Sequence, residues 1–172
     1  RKILSNKLSY NNIKNVLVTI GPDEDAHIRI SRDIAGRFGY NKPAILHAKF
    51  LPGIDGEKMS KSKNNAIFLN DDEKTIRKKI SKAFSGGQVT LEEHRKKGGN
   101  PDVDVSFIYL EKLFLNKKES EELKQKYKKG EISSGEMKKL FADEAVKFIK
   151  KFQNNLKKID DKTVEKCILR NE

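Results

Sequence analysis

The spacing of apolar positions changes along this chain, and each change marks a different kind of element. Asn15–Ile20 (NVLVTI) is a short apolar run of the kind that forms a buried strand. Asp25–Phe38 repeats at helical spacing, with Ile28, Ile34 and Phe38 as the inward positions, and Gly39 follows as a residue able to close the helix. Lys42–Phe50 (KPAILHAKF) then returns to strand character. Strand, helix and strand in such close succession form a βαβ unit, which implies a parallel sheet. Two strands alone make no stable core, so the remaining strands are expected upstream of Arg1. A first residue that is Arg and not Met fits a piece of a longer chain.

Leu51–Asn65 is a loop, punctuated by Pro52-Gly53 and Asp55-Gly56. From Asp71 the period is helical: Ile76, Ile80 and Phe84 recur every fourth residue until Gly86-Gly87. Gln88–Gly99 is polar and ends in a second glycine pair. Asn100-Pro101 places an N-cap before a proline at the first helical position, predicting a helix over Asp102–Leu115 with Val103, Phe107, Leu110 and Phe114 on one stripe. A short helix around Ser120–Lys128 presents Leu123 and Tyr127. Ser133-x-x-Glu136 is a capping box that opens the longest helix, Gly135–Ile159, with Phe141, Ala145, Phe148, Phe152, Leu156 and Ile159 as its seam. A last short helix is expected over Asp161–Leu169. There are no internal repeats. The fold class is therefore α/β followed by all-α: a partial parallel sheet over residues 1–70 and a helical bundle over 71–172.

Composition narrows the function classes. The chain has 172 residues, enough for one large or two small domains, with 35% hydrophobic and 36% charged residues. No apolar stretch approaches the length of a membrane span and no signal-peptide pattern is present, so a cytoplasmic protein is the expectation. The lone Cys167 excludes a disulfide framework and a cysteine-cluster metal site. The formal net charge of +12 favours polyanions, and nucleic acid is the commonest partner of so basic a domain. A solvated, lysine-rich surface explains the charge equally well.

The strongest local signal is Lys58-Met59-Ser60-Lys61-Ser62. Two lysines three apart on a turn, interleaved with serines, form a small clamp for polyphosphate: each ammonium is a compact charge, and hydroxyls and turn amides add donors. The loop leaves the C-terminal end of the second strand, the edge at which open parallel sheets bind ligands. This string resembles the KMSKS signature of the class I aminoacyl-tRNA synthetases. The resemblance implies that Lys58 and Lys61 neutralise pyrophosphate while an amino-acid carboxylate attacks the α-phosphate of ATP, with Met59, Ser60 and Ser62 lining the nucleotide.

Upstream, Gly21-Pro22-Asp23-Glu24 follows the first strand. It looks like the GxDQ motif of the tryptophanyl and tyrosyl members, which contacts the ribose and the amino-acid end of the adenylate. Gly21 allows close backbone approach, and Asp23 can accept from ribose hydroxyls. Glu24 stands where that family has Gln; its carboxylate suits an α-ammonium and would repel a phosphate. Acidic capping of the next helix is an alternative account of the Asp23–Asp25 run. The run DAHIRISRDIA is similar to the family's DPHxRxTRD stretch, which implies His27 as an active-site contact, with Arg29 and Arg32 structural.

Further blocks, Ala83-Phe84-Ser85-Gly86-Gly87, Glu92-Glu93-His94-Arg95, Gly98-Gly99-Asn100 and Pro101-Asp102-Val103-Asp104-Val105, resemble the tryptophanyl branch of archaea and eukaryotes. Tyr127-x-x-Gly130 and Gly135-Glu136-x-Lys138 match a pattern common to the subclass, and simple helix punctuation accounts for them equally well. Residues 112–172 hold 17 Lys and Arg against 11 Asp and Glu. That excess suits an RNA backbone, with Lys124, Lys126, Tyr127 and Lys128 placed to meet an anticodon. The resemblance implies a piece of a tryptophan-activating ligase: ATP with its Mg2+ and tryptophan as substrates, tRNA(Trp) as partner, a homodimer, no membrane. The family's HIGH motif is not in this sequence, so the piece alone is expected to be inactive. Two alternatives remain, a tyrosyl enzyme and a non-catalytic RNA-binding derivative.

Overall fold

The structure, a computed structural model, describes residues 15–48 and 50–168. Lys49 of the expected second strand and Leu169 of the expected last helix lie outside the described residues. Contacts divide the described residues into two compact units, one of residues 15–48, 50 and 160–168 and one of residues 51–159. This differs from a boundary after residue 70: by contacts, the loop after the second strand groups with the helices.

In the first unit, β1 (Leu17–Ile20) pairs in parallel with β2 (Ala44–His47), in the register Leu17↔Ala44 to Ile20↔His47. A 3-10 turn (Pro22–Glu24) leads into α1 (Asp25–Arg37), which makes the crossover. The βαβ expectation is met, but the inward face of α1 is different. Ile28, Arg32 and Ala35 are half-buried, whereas Ile34 is 48% and Phe38 72% exposed. At about 100° per residue, Ile34 lies roughly 120° around the helix from Ile28, so the three apolar residues never shared one stripe. Arg32 faces inward because its guanidinium donates to the Pro43 carbonyl just before β2. By contacts, residues 160–168, which carry α7 (Asp161–Cys167, N-capped by Asp160), belong to this unit.

The second unit is built from α2 (Glu73–Ser81), α3 (Leu91–Lys97), α4 (Val105–Tyr109, continued by a π-helical turn, Leu110–Phe114), α5 (Lys117–Lys128) and α6 (Ser134–Leu156). Ile76 and Ile80 of α2 pack with Phe107, Leu110, Leu123, Tyr127, Met137, Phe141, Ala145 and Ile149 in one core. Each such aliphatic or aromatic burial is worth about 1.5–3 kcal/mol. Polar clasps stitch α2 to α6: Arg77 bridges Glu73 (2.9 Å) and Asp143 (2.8 Å), and Lys150 reaches Glu73 (2.5 Å). Lys150 and Arg77 together hold the Glu73 carboxyl below its ordinary value. No helix among the described residues is long and apolar enough to cross a membrane.

Four details depart from the sequence reading. Gln88–Gly99 contains α3, a helix whose one buried residue is His94, so no apolar period announces it. Helix α4 starts later than Asn100-Pro101 implies: its cap is Asp104, whose Oδ1 accepts from the Phe107 N–H, and Val103 is 45% exposed. Phe84 lies beyond the end of α2 and is 50% exposed. The α6 seam runs through Phe141, Ala145 and Ile149, while Phe148 and Leu156 are both 54% exposed. The nine-residue α2 is too short to cover the last turns of the 23-residue α6.

Candidate functional site

The signature loop is organised around one buried amide. Gly53 N–H donates to the Glu57 carbonyl (2.7 Å), Gly56 turns the chain at φ +84°, and Pro52 and Lys58 face each other as an antiparallel bridge. Asn65, 5% exposed, closes the loop from the far side. Its Nδ2 donates to Asp55 Oδ1 (2.8 Å) and Oδ2 (2.9 Å) and to the Lys58 carbonyl (3.1 Å), and its Oδ1 accepts from Ser60 N–H (2.8 Å). A Cβ at position 53 would sit 2.4 Å from Asn65 Nδ2, so this close approach requires glycine. Desolvation resists ionisation of Asp55, but the Asn65 amide, the Glu57 N–H and the Lys63 charge outweigh it and hold its carboxyl below the ordinary value.

This scaffold fixes what the loop displays. Lys58, Met59, Lys61 and Ser62 are exposed and Ser60 is half-buried, with the Ser60 and Ser62 hydroxyls 2.8 Å apart. The Asn64 N–H donates to the Lys61 carbonyl (3.2 Å), and Asn64 adopts φ +50°. Lysines 58 and 61 are thus carried on a turn whose backbone donors and acceptors are largely tied internally. Both residues are exposed on this base.

Asn65 was not singled out by the sequence, although an Asn shortly after a turn-rich loop is a known kind of backbone-bonding residue. Asn65→Ala is expected to remove these hydrogen bonds and leave the Ser60 N–H without its partner. Losing a partner costs about 1–3 kcal/mol per buried group, concentrated in the loop. Hydrogen exchange of the Ser60 amide should accelerate at least tenfold while the helical core keeps its protection. Unchanged protection at Ser60 would remove Asn65 from this role.

In the first unit the candidate residues gather where β1 ends. Gly21 is in extended conformation (φ −78°, ψ 161°), and a Cβ there would meet the Asp23 carboxylate at 2.5 Å. The space that Gly21 leaves is thus taken by Asp23's own side chain. Asp23 and Glu24 are exposed on the 3-10 turn, and Glu24 Oε2 lies 3.2 Å from His27 Nδ1. Asp25 pairs with Arg29 (2.6 Å) and with His47 Nε2 (3.2 Å). His47 went unremarked in the sequence. Its signal was topological: parallel strands carry their C-terminal ends to the same edge, and the register sets His47 beside Ile20, next to Gly21. The same carboxylates lie at the positive N-terminus of α1, although no side chain there makes a capping hydrogen bond.

The structure sorts the four residues expected to meet an anticodon. Tyr127 is fully buried; its ring lies 5.0 Å from that of His94, and its hydroxyl donates to Asp104 Oδ2 (2.8 Å) and contacts Ser134 Oγ (2.8 Å). Tyr127 therefore takes the core position that its shared helix face with Leu123 allowed, and its expected contact with an anticodon is corrected: the buried ring offers no face to a base. Gly99 exists for this ring: a Cβ there would lie 2.5 Å from Tyr127 Cε1. Lys124 is drawn to Asp102 (2.8 Å), a contact that raises the pKa of Lys124 and lowers that of Asp102. Lys126 and Lys128 are exposed. Among the described residues no group of His, Cys, Asp or Glu converges as a metal site requires.

Residues 8–150 match the family model described as tRNA synthetases class I (W and Y). The chain is similar to the cytoplasmic tryptophan--tRNA ligase of Saccharomyces cerevisiae, 45% identical over 162 residues, which is 89% of this chain and 36% of that protein. It is 46% identical over 142 residues to tryptophan--tRNA ligase of Methanocaldococcus jannaschii, covering 80% of this chain and 38% of that protein. The tryptophanyl-tRNA synthetase structure from Giardia lamblia superposes with a TM-score of 0.79 at 41% identity, over 88% of this chain and 38% of that one. The chain thus spans little more than a third of the length of these relatives.

Proposed function

Because the chain belongs to the class I tRNA synthetases of the tryptophan and tyrosine family, we propose that it is the part of a tryptophan--tRNA ligase that carries the signature loop and the anticodon-binding helices. The whole protein activates tryptophan with ATP and then transfers it to tRNA(Trp). In the first step the tryptophan carboxylate attacks the α-phosphate, forming tryptophanyl-adenylate and releasing pyrophosphate. In the second, the terminal ribose of the tRNA takes the tryptophanyl group and releases AMP. Mg2+ enters with ATP as the counter-charge of its phosphates.

The observation that carries this reading is the loop itself. Lys58 and Lys61 stand exposed on a turn held from beneath by Asn65, which supports a role for their charges in offsetting the negative charge that develops on the departing pyrophosphate. Stabilisation of that charge by pre-placed donors lowers the barrier without a covalent intermediate. Asp23 accepts from the ribose hydroxyls, with Gly21 making room for its carboxylate, while Glu24 and His27 serve the amino-acid end as a linked pair. Residues 1–70 then supply the later half of the Rossmann-like catalytic fold, and 71–172 the anticodon-binding bundle, where Lys126 and Lys128 meet the RNA backbone. The whole protein acts in the cytoplasm as a homodimer. The isolated piece is inactive, because the remaining nucleotide contacts belong to the rest of the catalytic fold.

ATP–pyrophosphate exchange by the full-length protein tests the reading. Exchange should depend on tryptophan and not on tyrosine. Tyrosine-dependent exchange would move the protein to the sister specificity, and no exchange with either would leave a non-catalytic RNA-binding protein. Glu24→Gln should keep exchange within a few-fold of wild type, since an amide oxygen still accepts from His27. Abolished exchange in a folded Glu24→Gln variant would mean that the negative charge itself is required.

A further inference from the structure

Lysines that the signature loop does not use converge on an open trough of about 520 Å3 on the helical unit, lined by Lys63, Lys78, Lys79 and Lys82 together with Asp55 and Asn65. Helix α2 sorts its cations by face. Arg77 is turned to α6, where Glu73 and Asp143 hold it. Lys79 is pinned, donating to the Ala66 carbonyl (2.9 Å) and Asp71 Oδ2 (2.6 Å), and its side chain is only 16% exposed. Lys78 and Lys82 are exposed one helical turn apart, about 6 Å along the axis. Lys63 reaches the trough from the loop. The one carboxylate on the wall, Asp55, stays charged and is felt by Lys63, so it offsets one of the four lysines of the lining and leaves Lys78 and Lys82 without a carboxylate of their own. The acids available to α2 are thus spent on its other cations, and the trough keeps a positive excess.

We propose that this trough is a seat for the phosphodiester backbone of RNA, with Lys78 and Lys82 neutralising neighbouring phosphates and Lys63 closing the opposite side. The inference rests on the ligase reading for the identity of the RNA. The trough is open to solvent, and its cations come both from the loop (Lys63) and from successive turns of α2 (Lys78, Lys82), a spread of charge that suits the repeated phosphates of a strand. Ammoniums spaced by a helical turn and unmatched by carboxylates are the arrangement that releases counterions on binding, so the contact should be strongly salt-dependent. It carries no base-reading geometry, and it should therefore position the RNA without selecting its sequence.

The test is the double variant Lys78→Gln/Lys82→Gln of the full-length protein, with two readouts. Direct binding of tRNA across a salt series should weaken roughly tenfold at moderate salt, and the slope of log K against log salt should shallow by about 1.4–1.8, the share of two phosphates. Tryptophan-dependent ATP–pyrophosphate exchange should be unchanged, because neither lysine belongs to the signature loop. Unaltered tRNA affinity and slope would overturn the proposal. So would loss of exchange in a variant that melts like wild type, which would place these lysines in adenylation. Inorganic tripolyphosphate supplies the remaining arm: if it binds wild type as tightly as tRNA does and loses that affinity in the variant, the trough serves free polyphosphate and the RNA assignment falls. Absence of exchange in the wild-type protein would count against the ligase reading alone, since tRNA binding is measured separately.

Discussion

Lys61→Ala in the full-length protein is expected to slow tryptophanyl-adenylate formation by about 10²–10³-fold, on the order of 2.7–4 kcal/mol of barrier, while tryptophan binding changes little. The asymmetry follows from when the charge matters. Tryptophan in its ground state gains little from an ammonium aimed at phosphates, whereas the pyrophosphate gains most as the α–β bond breaks. Lys61 is exposed on the turn, and its own carbonyl, which survives the substitution, accepts from Asn64. The variant should therefore fold and keep the loop. Stopped-flow measurement of adenylate formation, beside equilibrium tryptophan binding, separates the two effects. An adenylation rate equal to wild type would remove Lys61 from the mechanism. The comparison with Asn65→Ala is informative: that change leaves both lysines in place and loosens their base, so it should slow the same step less while making the loop more labile.

Tyr127→Ala is expected to cost the helical unit about 3–5 kcal/mol, the range for deleting a buried aromatic ring. Tyr127 is fully buried against His94 and Gly99, and its hydroxyl is the donor to buried Asp104. Removing the ring opens a cavity and withdraws one partner from a carboxylate that also caps α4 and accepts from Gly86 N–H (3.0 Å). Tyr127→Phe keeps the ring and should cost about 1–3 kcal/mol, the price of an unmatched buried acceptor. Alkali gives an independent readout. Burial, above all, pushes the Tyr127 hydroxyl up from 10.0 to about 12. A group whose folded pKa exceeds its unfolded one contributes stability that is full below the unfolded value. Here it is lost as pH rises from 10 toward 12. The loss amounts to two pH units, on the order of 2–3 kcal/mol. Tyr109, also pushed to about 12 by burial, adds to the decline. Thermal unfolding between pH 9 and about 12 should show the wild type losing stability more steeply than Tyr127→Phe. A Tyr127→Ala variant that melts like wild type would show that the ring is not part of the core.

The placement of Tyr127 shows where local pattern stops being informative. Leu123 and Tyr127 share a face of a capped helix, and that much is written in their spacing. A tyrosine beside lysines on a basic surface has the same sequence whether it stacks on a base or fills a core. The decision came from Gly99, Asp104 and Ser134, distant in sequence, which shape a slot with a polar end. The cap of α4 was settled in the same way. Asn100-Pro101 carries the local signs of a helix start, but Asp104 is also bonded to Gly86 and Tyr127, and the helix begins where that buried carboxylate sits.

Short-range chemistry could be read directly from the chain. The parallel strand pair with its crossover helix follows from two apolar runs flanking a helical period, and it is present. The capping box Ser133/Glu136 opens α6 with both reciprocal bonds formed; a second box, Asn116/Glu119, went unread and starts α5 at Lys117, ahead of the Ser120 expected from the sequence. The signature loop and its lysines stood out as a candidate phosphate clamp because such a clamp needs only charges and donors at close spacing. Tertiary structure alone decided which apolar residues are covered, since coverage depends on the partner elements: Ile149 is buried in the core while Phe148 and Leu156 of the same helix are exposed. It alone made Asn65 the support of the loop and set Lys78 and Lys82 over an open trough. It also put His47 beside Ile20, at the edge where Gly21 follows, through the register of two strands. Each of these depends on groups far apart in the chain, and a sequence records such distances only after the chain has folded across them.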